Sequence, residues 1–214
     1  MIGFIYMTIA TCSLSVVYTS MNILQRKSRI PPYEITYLQG IVCSLSMFAL
    51  LKYMESRERK HNRAYDIFTI PKGARAPLLL RGFFGFASNL ATAIAMKLLP
   101  LSKATILYYT NPIFIGIFGW LFLNEKITNY DIAGVAATFL GVVIFTNDPF
   151  SNAQQAVSDV EWMNNFIGTT SAIIGAIITA GAMLSIRKVG TQCYPMNLPF
   201  SWGLFNVLLS LIHI

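Results

Sequence analysis

Residues 166–186 read Phe166-Ile167-Gly168-Thr169-Thr170-Ser171-Ala172-Ile173-Ile174-Gly175-Ala176-Ile177-Ile178-Thr179-Ala180-Gly181-Ala182-Met183-Leu184-Ser185-Ile186, and Arg187-Lys188 close them. No charged side chain interrupts the run. About 18 apolar residues are enough for a helix to cross the roughly 30 Å hydrocarbon layer. Unpaired backbone groups are costly in lipid, so such a run has to be helical. A transmembrane strand would alternate in hydrophobicity over about ten residues, and this run does not. The composition extends the reading outward. Of 214 residues, 55% are hydrophobic and 12% charged, where a soluble domain carries about 25% charged residues. The fold class is all-α transmembrane: a polytopic helix bundle.

Five more runs of the same kind precede it, at residues 2–24, 33–53, 77–96, 104–123 and 132–146. The fifth is short and extends towards Tyr130. A seventh begins near Leu198 and is still apolar at Ile214, so the chain is expected to be incomplete as a transporter of the usual length. Residues 54–74 form a polar, basic connection with Glu55, Arg57, Glu58, Arg59, Lys60, His61 and Arg63. Residues 147–165 form an acidic one, with Asp148, Asp159 and Glu161 and no Lys or Arg. The other connections are short and set neighbouring helices antiparallel.

The net charge of +7 raises the question of nucleic acid, and position answers it. The Lys and Arg residues gather beside the spans, as the positive-inside rule expects. With the N-terminus in the cytosol, they divide 11 to 5 in favour of the cytosolic side, against the opposing Arg26, Lys27 and Arg29 after the first span. Residues 2–24 are too long for a signal-peptide core and lack a basic flank, so a retained first span is expected. Cys12, Cys43 and Cys193 show no paired spacing for metal or disulfide.

Two segments repeat. The first span ends Ile23-Leu24-Gln25-Arg26-Lys27 and reaches Tyr33 after five residues; the sixth ends Leu184-Ser185-Ile186-Arg187-Lys188 and reaches Tyr194 after five. Each then enters an apolar helix with a nearby glycine, Gly40 or Gly203. A repeat unit of five helices inverts its second copy in the membrane, the plan of many secondary transporters.

Family motifs lie between these copies. The run Ala95-Met96-Lys97-Leu98-Leu99-Pro100-Leu101-Ser102-Lys103-Ala104-Thr105 is followed by Tyr109-Thr110-Asn111-Pro112-Ile113-Phe114, by Phe122-Leu123-Asn124-Glu125-Lys126, and by Ile132-Ala133-Gly134 and Gly141-Val142-Val143-Ile144. This pattern resembles the EamA-type repeat of the drug/metabolite transporter superfamily. Arg81-Gly82, early in the third span, makes it similar to the solute carrier family 35 G-type branch. The resemblance implies one five-helix repeat over residues 1–146, a polar loop over 147–165, and the truncated start of a second, inverted repeat over 166–214.

The candidate substrate-binding residues are Asn22, Asn89, Tyr108 and Asn111, with Pro112 as a structural kink. Pro112 removes a backbone donor and disfavours helix at Asn111. The pair either bends a cavity-lining helix or marks a kink satisfied by neighbouring helices. Tyr108 and Tyr109 either contact a solute or stand in the aromatic belt. Asn22 and Asn89 face the bundle interior, for a solute or for interhelical hydrogen bonds. Arg81 either meets an anionic solute or snorkels to the cytosolic headgroups, the reading favoured here. Glu125-Lys126 turns the chain at the end of the fourth span, with a gating carboxylate as the sharper alternative. Gly134/Thr138, Ala137/Gly141, Ala172/Ala176 and Ala176/Ala180 are spaced for close helix packing.

No GxSxG, HExxH or phosphate-binding loop occurs, so no catalytic residue, cofactor or metal is expected. The expected partners are a small-molecule solute and the lipid bilayer, with no nucleic acid. The reading is a multi-pass membrane transporter of a small organic solute or metabolite, working by alternating access around a midplane cavity between repeats, with a cavity between the first, third and fourth spans expected to be lined by some of Asn22, Asn89, Tyr108 and Asn111. The alternative is a non-transporting assembly or regulatory membrane protein.

Overall fold

The computed structural model describes residues 2–27, 30–60, 70–126, 128–146, 159–190 and 193–213. All the apolar runs fold as helices: α1 (Ile2–Lys27), α2 (Pro32–Lys60), α3 (Lys72–Leu98), α4 (Leu101–Tyr108), α5 (Asn111–Leu123), α6 (Asn129–Thr146), α7 (Asp159–Val189) and α8 (Asn197–Ser210), then a 3-10 turn at Leu211–His213. Among the described residues there is no strand.

Local chemistry sets the ends. Pro32 opens α2, where its missing N–H is no loss. Pro71 and Pro100 stand before α3 and α4 in extended geometry. Asn124 ends α5 in the left-handed region (φ 52°), and the Glu125 N–H reaches back to the Gly119 carbonyl at 3.2 Å. Gly190 (φ 52°) closes α7, with its N–H on the Ile186 carbonyl at 3.1 Å.

The helices outrun the apolar runs. Residues 54–60 continue α2, α3 starts at Lys72 rather than Pro77, and α7 starts at Asp159. A hydrophobicity run marks where lipid begins, whereas a helix continues as long as its backbone ladder does. The rest of the two long connections, 61–69 and 147–158, with His61, Arg63 and Asp148, lies outside the described residues. The fourth span is two helices, broken at Tyr109 and Thr110.

Four stretches are long and apolar enough to cross a membrane: Pro32–Ser56, Lys72–Leu98, Leu101–Leu123 and Trp162–Val189. The surface is apolar, and the interior combines apolar clusters, such as Met96, Leu99 and Leu107, with buried polar groups. Val16, Val42, Leu45, Phe139, Leu140 and Ile144 are exposed, while Thr36, Ser88, Thr92, Thr179, Asn206 and Ser210 are buried. An exposed apolar surface of this extent needs lipid against it. The chain is an integral, multi-pass membrane protein.

The centre is α3 against α7. A Cβ on Gly168 would meet Leu99 at 2.7 Å, one on Gly175 would meet Thr92 at 3.2 Å, and one on Gly181 would meet Phe84 at 3.4 Å. Position rises along α7 as it falls along α3, so the two are antiparallel. Ala172, Ala176 and Ala180 are fully buried on this seam. Small side chains let the backbones approach, and dispersion then holds the pair. The matching spacing on α6 has a different outcome: Gly134 and Gly141 meet nothing within 4 Å.

The second seam is α2 against α8. A Cβ on Gly40 would meet Asn206 Cβ at 2.7 Å and the Gly203 carbonyl at 3.0 Å; one on Gly203 would meet Ser44 Oγ at 2.6 Å and the Gly40 carbonyl at 3.2 Å. Each glycine is thus the floor for the other helix. Thr36 and Ser210 bond at 3.1 Å at one end of this seam.

Candidate functional site

The interior polar groups gather on one helix, α3. Arg81, Gly85 and Asn89 are four residues apart and share a face. That face meets α8: Gly82 lies against Phe205, Gly85 against Trp202, and Asn89 against Asn206. Asn89 Nδ2 donates to Gln39 Oε1 on α2 and to Asn206 Oδ1 on α8, both at 3.1 Å. Asn206 is fully buried and donates to the Trp202 carbonyl at 2.7 Å. One amide therefore joins three helices. Both its protons are engaged, which leaves its carbonyl oxygen as the group open to another donor.

Arg81 lies beside this joint and does not snorkel. Helical side chains lean towards the N-terminus, which for Arg81 is the nearer membrane face. Its Nη1 instead lies over Gly85, one turn the other way, where it shares the space with the Trp202 ring. Its Nε is buried without a hydrogen-bond partner. Among the described residues no carboxylate forms an ion pair with it.

A second cluster surrounds Tyr108. Its hydroxyl accepts from Thr179 Oγ1 at 3.2 Å, and its ring packs edge-on to Tyr18 with centroids 6.1 Å apart. Thr179 also contacts Ser88, next to Asn89 on α3. Tyr108 thus faces the bundle, while Tyr109 is the more exposed of the two. Asn22 Nδ2 donates to the Met96 carbonyl at 3.0 Å and Gln25 Nε2 to the Ala93 carbonyl at 3.1 Å, so both tie α1 to the end of α3. Asn111 opens α5, half-buried. Pro112 follows and has no N–H for the Tyr108 carbonyl one turn back. Thr110 turns its hydroxyl to the Leu107 carbonyl at 2.7 Å across this break.

The structure therefore brings Asn89 and Tyr108 to adjoining clusters, uses Asn22 as a tie, and leaves Asn111 at the break. A pocket of about 560 Å³ lies instead between α5 and α6, with Pro112, Trp120 and Thr138 in its wall and Glu125, Lys126, Asp131 and Arg187 at its mouth. Arg187 and Glu125 form an ion pair there, about half-exposed on both sides, across a surface that Gly119 keeps clear. Tyr194 donates to Met54 Sδ at 3.1 Å. The ends of α5 and α7 therefore share one face of the bundle, and the end of α2 lies with the chain that leaves α7.

Sequence reasoning passed over Gln39, Trp202 and Asn206. Gln39 and Asn206 carry the signal that exposed Asn22 and Asn89, a carboxamide inside an apolar run. Trp202 gives none, because an aromatic ring beside a cation looks like any apolar residue in one dimension.

The model of the EamA-like transporter family matches residues 1–147. The chain belongs to this family. Among known proteins, this EamA-family chain is similar to solute carrier family 35 member G1 of Homo sapiens, 30% identical over 58% of this chain and 34% of that one. The Mus musculus protein of the same name is 32% identical over the same shares. Both support the nearer likeness to the G-type branch of the drug/metabolite transporter superfamily. The pseudopaline exporter CntI of Pseudomonas aeruginosa is 24% identical over 87% of this chain and 58% of the exporter. The chain spans about a third of the length of its solute carrier relatives. No solved structure matches.

Proposed function

We propose that this chain carries the first EamA-type repeat and the opening of a second, inverted one in a small-solute transporter that works by alternating access. Residues 1–146 are the first repeat, 147–165 a connection, and 166–214 the start of the second. One observation carries this reading. Where α8 meets α2 and α3, the helices join through carboxamides and a guanidinium rather than a closed apolar seam. Polar groups inside a membrane bundle mark pathways for polar cargo. The reciprocal floors at Gly40 and Gly203 support the inverted plan, since two-fold partners place the same surface against each other. Tyr108 and Asn89 line the path, Asn22 holds α1 beside it, and Asn111 and Pro112 supply a break at which α4 and α5 can change angle. The solute is polar or amphipathic, held by a few directional contacts on an apolar wall.

The test is uptake of a labelled panel of sugars, amino acids and organic acids into proteoliposomes that hold the full-length transporter carrying this chain. Asn111→Leu is expected to insert normally and to lose uptake by about tenfold or more, the effect of one lost interior hydrogen bond. An Asn111→Leu protein that folds and transports as wild type removes Asn111 from the path. A wild-type protein that moves no member of the panel favours the assembly reading.

A further inference from the structure

We propose that Arg81 is the docking group for the anionic end of the solute, a carboxylate or a phosphate, with Gly85 as the floor of the subsite and Trp202 as its wall. This deepens the transport reading and rests on it. Arg81 lies within the membrane-crossing stretch Lys72–Leu98. At 1.5 Å per residue it stands about 14 Å along α3 from Lys72. A cation at that depth is retained when it faces the bundle interior and has a counter-charge or a polar path. The guanidinium turns away from the nearer membrane face, over Gly85. Among the described residues no carboxylate forms an ion pair with it, so no balancing charge is built in by these residues. Its buried Nε has no acceptor. A planar fork of N–H donors with an unfilled position matches a carboxylate or phosphate, which accepts two parallel hydrogen bonds.

Two further details fit an anion. Asn89, the nearest amide on the same face, has both its protons engaged by Gln39 and Asn206. On that face of α3 the donors left for a ligand are those of Arg81, with the Trp202 Nε1–H beside them over Gly85. Gly85 is the one residue on which guanidinium and indole converge, and any side chain there would displace both. The Trp202 ring meets Gly85 through its Cδ1–Nε1 edge, a wall that sets ring carbon for the solute's skeleton beside an N–H for its charged group.

Trp202 is a built-in reporter. Of the three tryptophans, Trp120 and Trp162 are exposed, so a Trp120→Phe, Trp162→Phe background isolates it. Succinate and inorganic phosphate are titrated at constant ionic strength into the purified protein, with neutral succinamide as control. A saturable change in Trp202 emission with either anion, absent with succinamide, is expected. Arg81→Gln should weaken it at least tenfold. Arg81→Lys, which keeps charge but loses the fork, should fall between. Gly85→Ala, which keeps Arg81 and moves it, should also weaken binding, and this second route holds if Arg81→Gln fails to fold. An equal response in Arg81→Gln or Gly85→Ala, a response to succinamide, or no response overturns the proposal. If only phosphatidylglycerol nanodiscs, compared with phosphatidylcholine, shift Trp202, the anion is a headgroup and the solute assignment falls. Uptake of a neutral solute with no anion response would overturn this inference and leave transport standing. Anion binding without uptake of any solute would do the reverse.

Discussion

At the scale of single residues, glycine separates seams from surface. Gly40 and Gly203 each have another helix closer than a methyl group allows, while Gly134 and Gly141 have open space. Gly40→Ala should therefore destabilise the protein by about 1–3 kcal/mol, the usual result of overpacking, read as a lower midpoint of unfolding in detergent. Gly134→Ala should leave the midpoint unchanged or raise it slightly, since Ala is the better helix former by about 1 kcal/mol. Equal effects at the two positions would contradict the assigned seam. Sequence reasoning reached Gly40 and Gly203 through the repeat, yet gave Gly134 the same packing role as Ala172 and Ala176. Spacing reports that one face of a helix is small. It does not report which helix, if any, lies against that face.

At the scale of elements, the break between α4 and α5 was legible as Asn111-Pro112, because proline acts through local covalent geometry. Pro112→Ala returns an N–H to the Tyr108 carbonyl and should straighten the span. Spin labels at Lys103 and Trp120 should then move apart, while an unchanged distance would assign the bend to the surrounding packing. The Arg187–Glu125 pair was not legible as a pair, since its partners end helices 62 positions apart. Its half-exposed setting limits its weight. A double-mutant cycle with Glu125→Gln and Arg187→Gln should give a coupling of about 0–1 kcal/mol, weaker in high salt. A coupling well above that range would mean that the pair is shielded in the bilayer. Arg81 shows the limit of one-dimensional reading more sharply. Its place near a span end suggested a snorkelling cation, and only the side-chain direction over Gly85 shows otherwise.

At the scale of the whole molecule, the class and the number of apolar runs came directly from composition and run length, because lipid admits few backbone solutions. Side-to-side order came from charge bias, and it can be checked with a native cysteine. Cys193, in the connection from α7 to α8, should be labelled by an impermeant maleimide from the same membrane face as Lys126→Cys, and Ser158→Cys from the other. Labelling of Cys193 and Ser158→Cys from one face would overturn the topology. Burial pushes the Cys193 thiol up. The thiolate is the reacting form, so Cys193 should react more slowly than a free cysteine at neutral pH and catch up as pH rises. The meeting of Gly40 and Gly203 has a consequence at this scale. It is the narrowest place in a seam that runs on through Cys43 Sγ on the Pro199 carbonyl and Phe48 against Phe200. A turn of α2 alone about the glycines would break those contacts, so α2 and α8 should tilt together as one lever. From Gly40 to Lys60 that lever is roughly 30 Å at 1.5 Å per residue, and a joint tilt of about 10° would carry its tip by roughly 5 Å, a full helical turn's height.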